Sequence, residues 1–210
     1  TGELMLYGDI SSTTWWGDEV TPKDFKADLD RLGEIKNLNI YINSGGGDVF
    51  AGQAIHSMLA RHTAFKTVYV DGLAASIASV IVMAGDKIIM PRNAMMMIHN
   101  AWTIAAGNKE SFRKLADDME KIDESIVTTY ADKTGLESEE IKALMEAETW
   151  MTAEEAVERG FADEIEKEKQ LAASIEGGFL VLNSQRFDLS RYNAFPKLPE
   201  PAPQDLENST

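Results

Sequence analysis

Cysteine is absent from the 210 residues. Disulfides, thiolate metal sites and a cysteine nucleophile go with it, and the absence fits a reducing compartment. Positive charge is scarce as well: 20 Lys and Arg stand against 35 Asp and Glu, a net charge of −15 at pH 7. That is the wrong sign for a surface that must displace counterions from nucleic-acid phosphates. Long apolar runs are also lacking. The longest, Leu73 to Ala84, is interrupted by Ser76 and Ser79 and falls short of the ~18–20 residues of a membrane-spanning helix. The opening residues, Thr1 to Tyr7, carry neither the basic segment nor the apolar core of an export signal. The expected setting is therefore the cytoplasm, with no nucleic acid, membrane, metal or cofactor as partner.

What is present is ordinary for a chain with a packed interior, at 44% hydrophobic and 26% charged residues. The length suits one domain and a short appendage. Leu4–Tyr7, Leu38–Ile42, Thr67–Val70, Lys87–Met90 and Ala94–Ile98 read as strands of apolar and β-branched residues. Between them lie a helix opened by Thr21-Pro22-Lys23-Asp24 and running to about Gly33, a helix from Val49 to Arg61, and a mostly apolar helix from Ser76 to Met83 after a turn at Gly72. Repeated strand-helix units with short turns argue for an α/β fold with mostly parallel strands.

From Asn108 to Lys133 the residues Phe112, Leu115, Met119, Ile122, Ile126 and Tyr130 recur at spacings of three and four. This predicts one long amphipathic helix, whose stripe packs either on its own domain or on a second subunit. Ser138–Glu146 reads as a further helix, and Thr152 with Glu155 as the capping box of one ending at Gly160. The expected division is a domain over 1–168 and an extension over 169–210, whose last fifteen residues hold four prolines and are expected to be disordered.

Three histidines make the search for a general base short. His56 within a helix and His62 at its carboxyl end read as structural, the latter suited to the helix dipole. His99 follows a strand and opens into Asn100-Ala101-Trp102, and ligands of α/β sheets gather beyond the carboxyl ends of strands. Ser76, after Gly72-Leu73-Ala74-Ala75 and at a helix start, reads either as an N-cap or as an exposed nucleophile. Gly45-Gly46-Gly47 after a strand makes either a plain turn or a nest of N–H groups for an oxyanion. No G-x-S-x-G elbow is present.

Taken together, Ile42-Asn43-Ser44-Gly45-Gly46-Gly47, Ala74-Ala75-Ser76, Met97-Ile98-His99 and Thr152-Ala153-Glu154-Glu155-Ala156 with Gly160 resemble, in order and spacing, the Clp protease proteolytic subunit (ClpP) family. Tyr7-Gly8-Asp9-Ile10, Asp48-Val49-Phe50 and Glu148-Thr149-Trp150-Met151 look more like its phage and prophage branch, the ClpP-related head maturation proteases. The resemblance implies a spiral of ββα units shared with crotonases, with a long projecting helix, and a serine endopeptidase that works through an acyl-enzyme. It implies Ser76 as nucleophile, His99 as base and acid, and an oxyanion hole from the N–H groups of Gly47 and Ile77. A peptide would lie extended between Gly46, Asp48 and Val49 on one side and Asn100, Ala101 and Trp102 on the other.

The same resemblance implies homo-oligomeric rings, stacked or single, fed by an ATPase unfoldase or acting on capsid or scaffold protein in a bacterium or a phage-infected cell. Two positions depart from the pattern. Gly45 stands where the family has proline, which loosens the turn, and Glu148 falls at the third triad position, where aspartate is usual. Two alternatives follow: a crotonase-like acyl-CoA enzyme, and a ring-forming assembly protein whose site has decayed.

Overall fold

The structure is a computed structural model that describes residues 1–14, 17–166, 173–176, 179–182 and 185–188. The elements over the first half are β1 (Gly2–Tyr7), α1 (Pro22–Arg31), β2 (Asn37–Ser44), α2 (Val49–Arg61), β3 (Phe65–Ala75), α3 (Ile77–Val82), β4 (Lys87–Pro91) and β5 (Met95–Ile98). The second half adds α4 (Lys109–Thr134), α5 (Ser138–Glu146), β6 (Thr149–Thr152), α6 (Ala153–Glu158), β7 (Glu164–Glu166), β8 (Ala173–Glu176), β9 (Phe179–Leu182) and β10 (Gln185–Asp188).

Among the described residues the main sheet has seven strands, in the order β1-β2-β3-β4-β7, with β5 on β3 and β6 on β5. Every pairing in it is parallel except β5 with β6. The mostly parallel α/β arrangement expected from the alternation of strands and helices is thus the observed one.

Helix ends follow local chemistry. Thr21 caps α1 by accepting from the Asp24 N–H, with Pro22 at the first helical position. Asn108 caps α4, whose other end turns out through Gly135 in the left-handed region. Thr152 and Glu155 form the reciprocal capping box on α6. Alternation buries Leu38, Ile40 and Ile42 of β2 on one face, and all six residues of α3 are buried, as its apolar make-up demands.

Gly72 does not make the expected turn. β3 continues through it to Ala75, while its register on β2 steps from Ile42↔Val70 to Ser44↔Ala74. The extra residues on β3 form a bulge, a common place for glycine in a strand. The Leu73 N–H there is accepted by Asn43 Oδ1 at 3.1 Å. The consequence is a change of partner: Thr67–Tyr69 pair with β4, and Leu73–Ala75 pair with β5. The bulge thereby steers the end of β3 toward the strand that carries His99.

α4 divides. Ile126, Val127 and Tyr130 lie in the main core, whereas Phe112 is exposed, with Leu115 and Met119 half-buried. The carboxyl half of the stripe packs on its own domain and the amino half projects from it. Short strands missed in the sequence are β6 and β7, and the region after residue 169 contains β8–β10, an antiparallel sheet. Phe187 and Leu180 face each other across β10 and β9 and pack with Leu73, Ala75, Met95 and Met97 into a second core that Trp150 borders. The boundary expected at 168 and the proline-rich end lie outside the described residues. No helix among the described residues is long and apolar enough to cross a membrane.

One buried charge gives a stability prediction. The Lys66 ammonium meets Asp86 Oδ2 at 2.9 Å and the carbonyls of His62 and Ala64, and its side chain is 8% exposed. Burial pushes the Asp86 carboxyl up, but the hydrogen bonds and charge of Lys66 outweigh it and hold the group below its ordinary value. A depressed acid adds stability above its unfolded pKa of about 4 and loses it as pH falls through the folded value. Because Asp86 is itself 41% exposed, Asp86→Asn should cost only about 1–3 kcal/mol at pH 7, below a fully buried pair. Thermal melts at pH 7 and pH 3 should show that penalty shrinking in acid.

Candidate active site

Two non-glycine residues among the described ones have positive φ, Ser76 at 55° and Glu148 at 49°. Such backbone costs on the order of 1–3 kcal/mol per residue and persists where surrounding contacts impose it. Both surround the same imidazole. Ser76 Oγ lies 2.8 Å from His99 Nε2, and Glu148 Oε2 lies 4.0 Å from His99 Nδ1. The His99 and Glu148 side chains are 9% and 10% exposed, which weakens screening of the charge between them.

Ser76 joins β3 to α3, with its N–H on the Met97 carbonyl at 2.9 Å. Its hydroxyl makes no capping bond to the helix, so the N-cap reading does not describe it. The hydroxyl is turned to the imidazole instead. His99 follows β5, paired in parallel with the end of β3, and this register sets serine and histidine side by side. Glu148 follows α5 and precedes β6, antiparallel to β5. It sits just past a helix end, where a left-handed residue is common but is usually glycine or asparagine. At 4.0 Å its carboxylate oxygen Oε2 is too far from His99 Nδ1 for a direct hydrogen bond. Its other oxygen is 3.5 Å from Trp150 Nε1.

The glycine turn abuts the serine. Gly46 and Gly47 have φ of 92° and 147°, which side chains rarely tolerate. A methyl at Gly46 would lie 2.7 Å from Ser76 Cβ and 3.2 Å from the Ile77 nitrogen, and one at Gly47 would lie 2.0 Å from the Ile10 carbonyl oxygen. Around Gly45, where the resemblance implies proline, the turn is fastened: Ile10 donates to Gly46 O at 2.9 Å, Asp48 donates to Ile10 O at 2.8 Å and Gly46 donates to Ser44 Oγ at 3.1 Å. Gly47 is exposed. The Ile77 N–H, first in α3, has no acceptor within its own helix.

Beyond His99, Asn100 and Ala101 are half-buried and Trp102 is exposed. The Ala101 N–H is held by Asp123 Oδ1 of α4 at 2.7 Å, which leaves the other main-chain groups of 100–102 for any pairing with an extended peptide. Burial raises the Asp123 pKa against the pull of that N–H. Sequence reasoning passed over Asp123. Asp123 lies four residues after Met119 on the apolar side of α4, where an acid needs a partner. Trp150 entered only as part of the Glu148–Met151 segment, and its place beside Glu148 depends on β6.

The remaining histidines do what their positions suggest. Burial lowers the His56 pKa, and His62 Nδ1 accepts from the Ala64 N–H at 3.2 Å, closing the end of α2.

A mostly parallel α/β sheet whose strand ends bring a serine hydroxyl onto an imidazole, beside a nest of backbone N–H groups, has the architecture of a serine hydrolase. Residues 27–169 match the family described as Clp protease. The ATP-dependent Clp protease proteolytic subunit of Bacteroides fragilis is 33% identical over 155 residues, covering 70% of this chain and 74% of that one. Its counterpart from Ligilactobacillus salivarius is 36% identical over 145 residues, covering 68% and 73%, and that from Deinococcus radiodurans 32% identical over 140 residues, covering 65% and 68%. The chain belongs to the Clp protease family, a family of serine peptidases.

Proposed function

We propose that this protein is a serine endopeptidase in which Ser76 is the nucleophile, His99 the general base and acid, and Glu148 the acid that steadies the imidazolium. The 2.8 Å contact between Ser76 Oγ and His99 Nε2, made by a serine with φ of 55°, carries the reading. His99 Nε2 takes the hydroxyl proton as Ser76 Oγ bonds to the scissile carbonyl carbon. The negative oxygen so formed lies toward the N–H groups of Gly47 and Ile77. As the C–N bond breaks, His99 returns the proton to the leaving amine, and water then releases the acyl group by the same route. The substrate is an extended polypeptide lying between Gly46, Asp48 and Val49 and the 100–102 segment.

An acyl-CoA enzyme would leave the Ser76–His99 pair without a purpose, and a decayed site would have no need of two strained residues around one histidine. The natural substrate is capsid or scaffold protein, with cleavage in the cytoplasm of a bacterium or phage-infected cell. This rests on the Tyr7–Ile10, Asp48–Phe50 and Glu148–Met151 segments. New amino termini mapped after incubation of an unfolded polypeptide or capsid scaffold with the protein, with and without an added unfoldase and ATP, test this. Cleavage abolished by His99→Ala supports the reading, and identical cleavage by His99→Ala contradicts it.

Rings built through α4 complete the proposal. Ile126 lies in the core, so charge there would unfold the chain. Phe112 on the projecting half is the informative position. Phe112→Asp should shift sedimentation from a cyclic oligomer to smaller species without lowering the melting temperature. A wild-type chain that is monomeric at micromolar concentration and fully active would contradict assembly.

A further inference from the structure

A peptide unit is planar, and in its trans form the carbonyl and the N–H point in opposite directions. The described residues contain no cis bond. Whatever grips the Ser76 oxygen therefore sets the direction of the Ile77 N–H. That oxygen accepts twice from Ser79, from its N–H at 3.0 Å and from its hydroxyl at 2.6 Å. Ser79 Oγ is also 2.7 Å from the Tyr130 hydroxyl on α4. A serine has one hydroxyl proton to give. With that proton on the Ser76 carbonyl, the Tyr130 phenol is the donor to Ser79. Ser79 is 0% and Tyr130 1% exposed, and burial raises the Tyr130 pKa, which keeps the phenol in its donating form. A helix start needs only the backbone bond from Ser79; the two hydroxyls are additional, and the chemical steps above use neither.

We propose that Ser79 and Tyr130 are positioning residues for the oxyanion hole: their relay onto the Ser76 carbonyl fixes the tilt of the 76–77 peptide, aiming the Ile77 N–H before substrate arrives. Hydrogen bonds in series polarise one another, so the gripped carbonyl also makes that N–H a stronger donor. The relay ties the long helix α4 to the reacting peptide unit. The inference rests on the reading of Ser76 as nucleophile and Ile77 as oxyanion donor.

The test compares the full chain with Ser79→Ala, Ser79→Thr and Tyr130→Phe in peptide kinetics and in the rate of phosphonylation by a fluorophosphonate, whose phosphoryl oxygen takes the oxyanion position. Loss of an oxyanion donor costs ~10²–10³ in kcat, so a misaimed one should cost ~10–100-fold. Ser79→Ala is expected to lower kcat and phosphonylation together by that factor, with KM within about twofold and the adduct still on Ser76. Ser79→Thr, which restores the hydroxyl, recovers most of the loss. Tyr130→Phe, which keeps the Ser79 bond and removes one oxygen, gives a smaller loss of the same kind. Folded Ser79→Ala with wild-type kcat and labelling overturns the inference. Should Ser79→Ala not fold, Tyr130→Phe decides, and unchanged kcat per folded molecule overturns it. Unmodified protein that is not labelled at all sinks the catalytic reading and this inference with it, whereas equal labelling of all four proteins sinks the inference alone.

Discussion

Ser76→Ala should lose ~10⁴–10⁶ of its peptide turnover while folding as before, the scale seen when a catalytic serine is removed from a triad. The hydroxyl makes no capping bond to α3, and the residue is held through its backbone, by the Met97 carbonyl and the Ser79 N–H. Alanine keeps the same Cβ and the same backbone, so the helix start and the Ile77 N–H survive. What disappears is the oxygen 2.8 Å from His99, and no other hydroxyl replaces it: Ser79 Oγ is engaged with the Ser76 carbonyl and Tyr130. Turnover measured by release of a fluorogenic peptide, with a thermal melt alongside, checks the lost activity and the retained fold. Retained turnover in a folded Ser76→Ala protein would refute the nucleophile assignment.

Glu148→Gln should cut kcat by ~10²–10⁴, the range for acids that hold a histidine tautomer and stabilise its cation. The side chain is 10% exposed and its Oε2 lies 4.0 Å from His99 Nδ1, so a negative charge sits beside the ring as it becomes positive in the transition state. Glutamine keeps the size, and its amide oxygen still accepts from Trp150. Only the charge is lost, so stability and KM should change little. Wild-type turnover in Glu148→Gln would leave a Ser76–His99 dyad or assign the role to another acid.

Local signals read well in this chain because they are carried by neighbours in sequence. The Thr21 cap, the Thr152 capping box, the bounds of α2 and α5 and the stripe on α4 all appear where spacing placed them. Ser76 and His99 were legible as a pair only in part: each stood at a strand-to-loop junction, and family resemblance joined them. What stayed hidden depends on partners distant in sequence. Gly72 looked like a turn because a bulge and a turn use the same residue, and only the shift of β3 from β4 to β5 distinguishes them. β6, four residues long, is defined by its antiparallel partner β5, and β9 and β10 by each other and by the apolar face they cover. Asp123 and Tyr130 sat in a helix stripe, and nothing nearby in sequence tells which loop or hydroxyl they meet.

The most direct measurement of the central claim is a map of where a fluorophosphonate attaches, by mass spectrometry of digested protein, in the wild-type chain and in His99→Ala. A single adduct on Ser76, formed rapidly in the wild type and slowed by orders of magnitude without His99, is the expected result, because the imidazole 2.8 Å away must take the hydroxyl proton. An adduct on any other residue, or equally fast labelling of Ser76 without His99, would contradict the account.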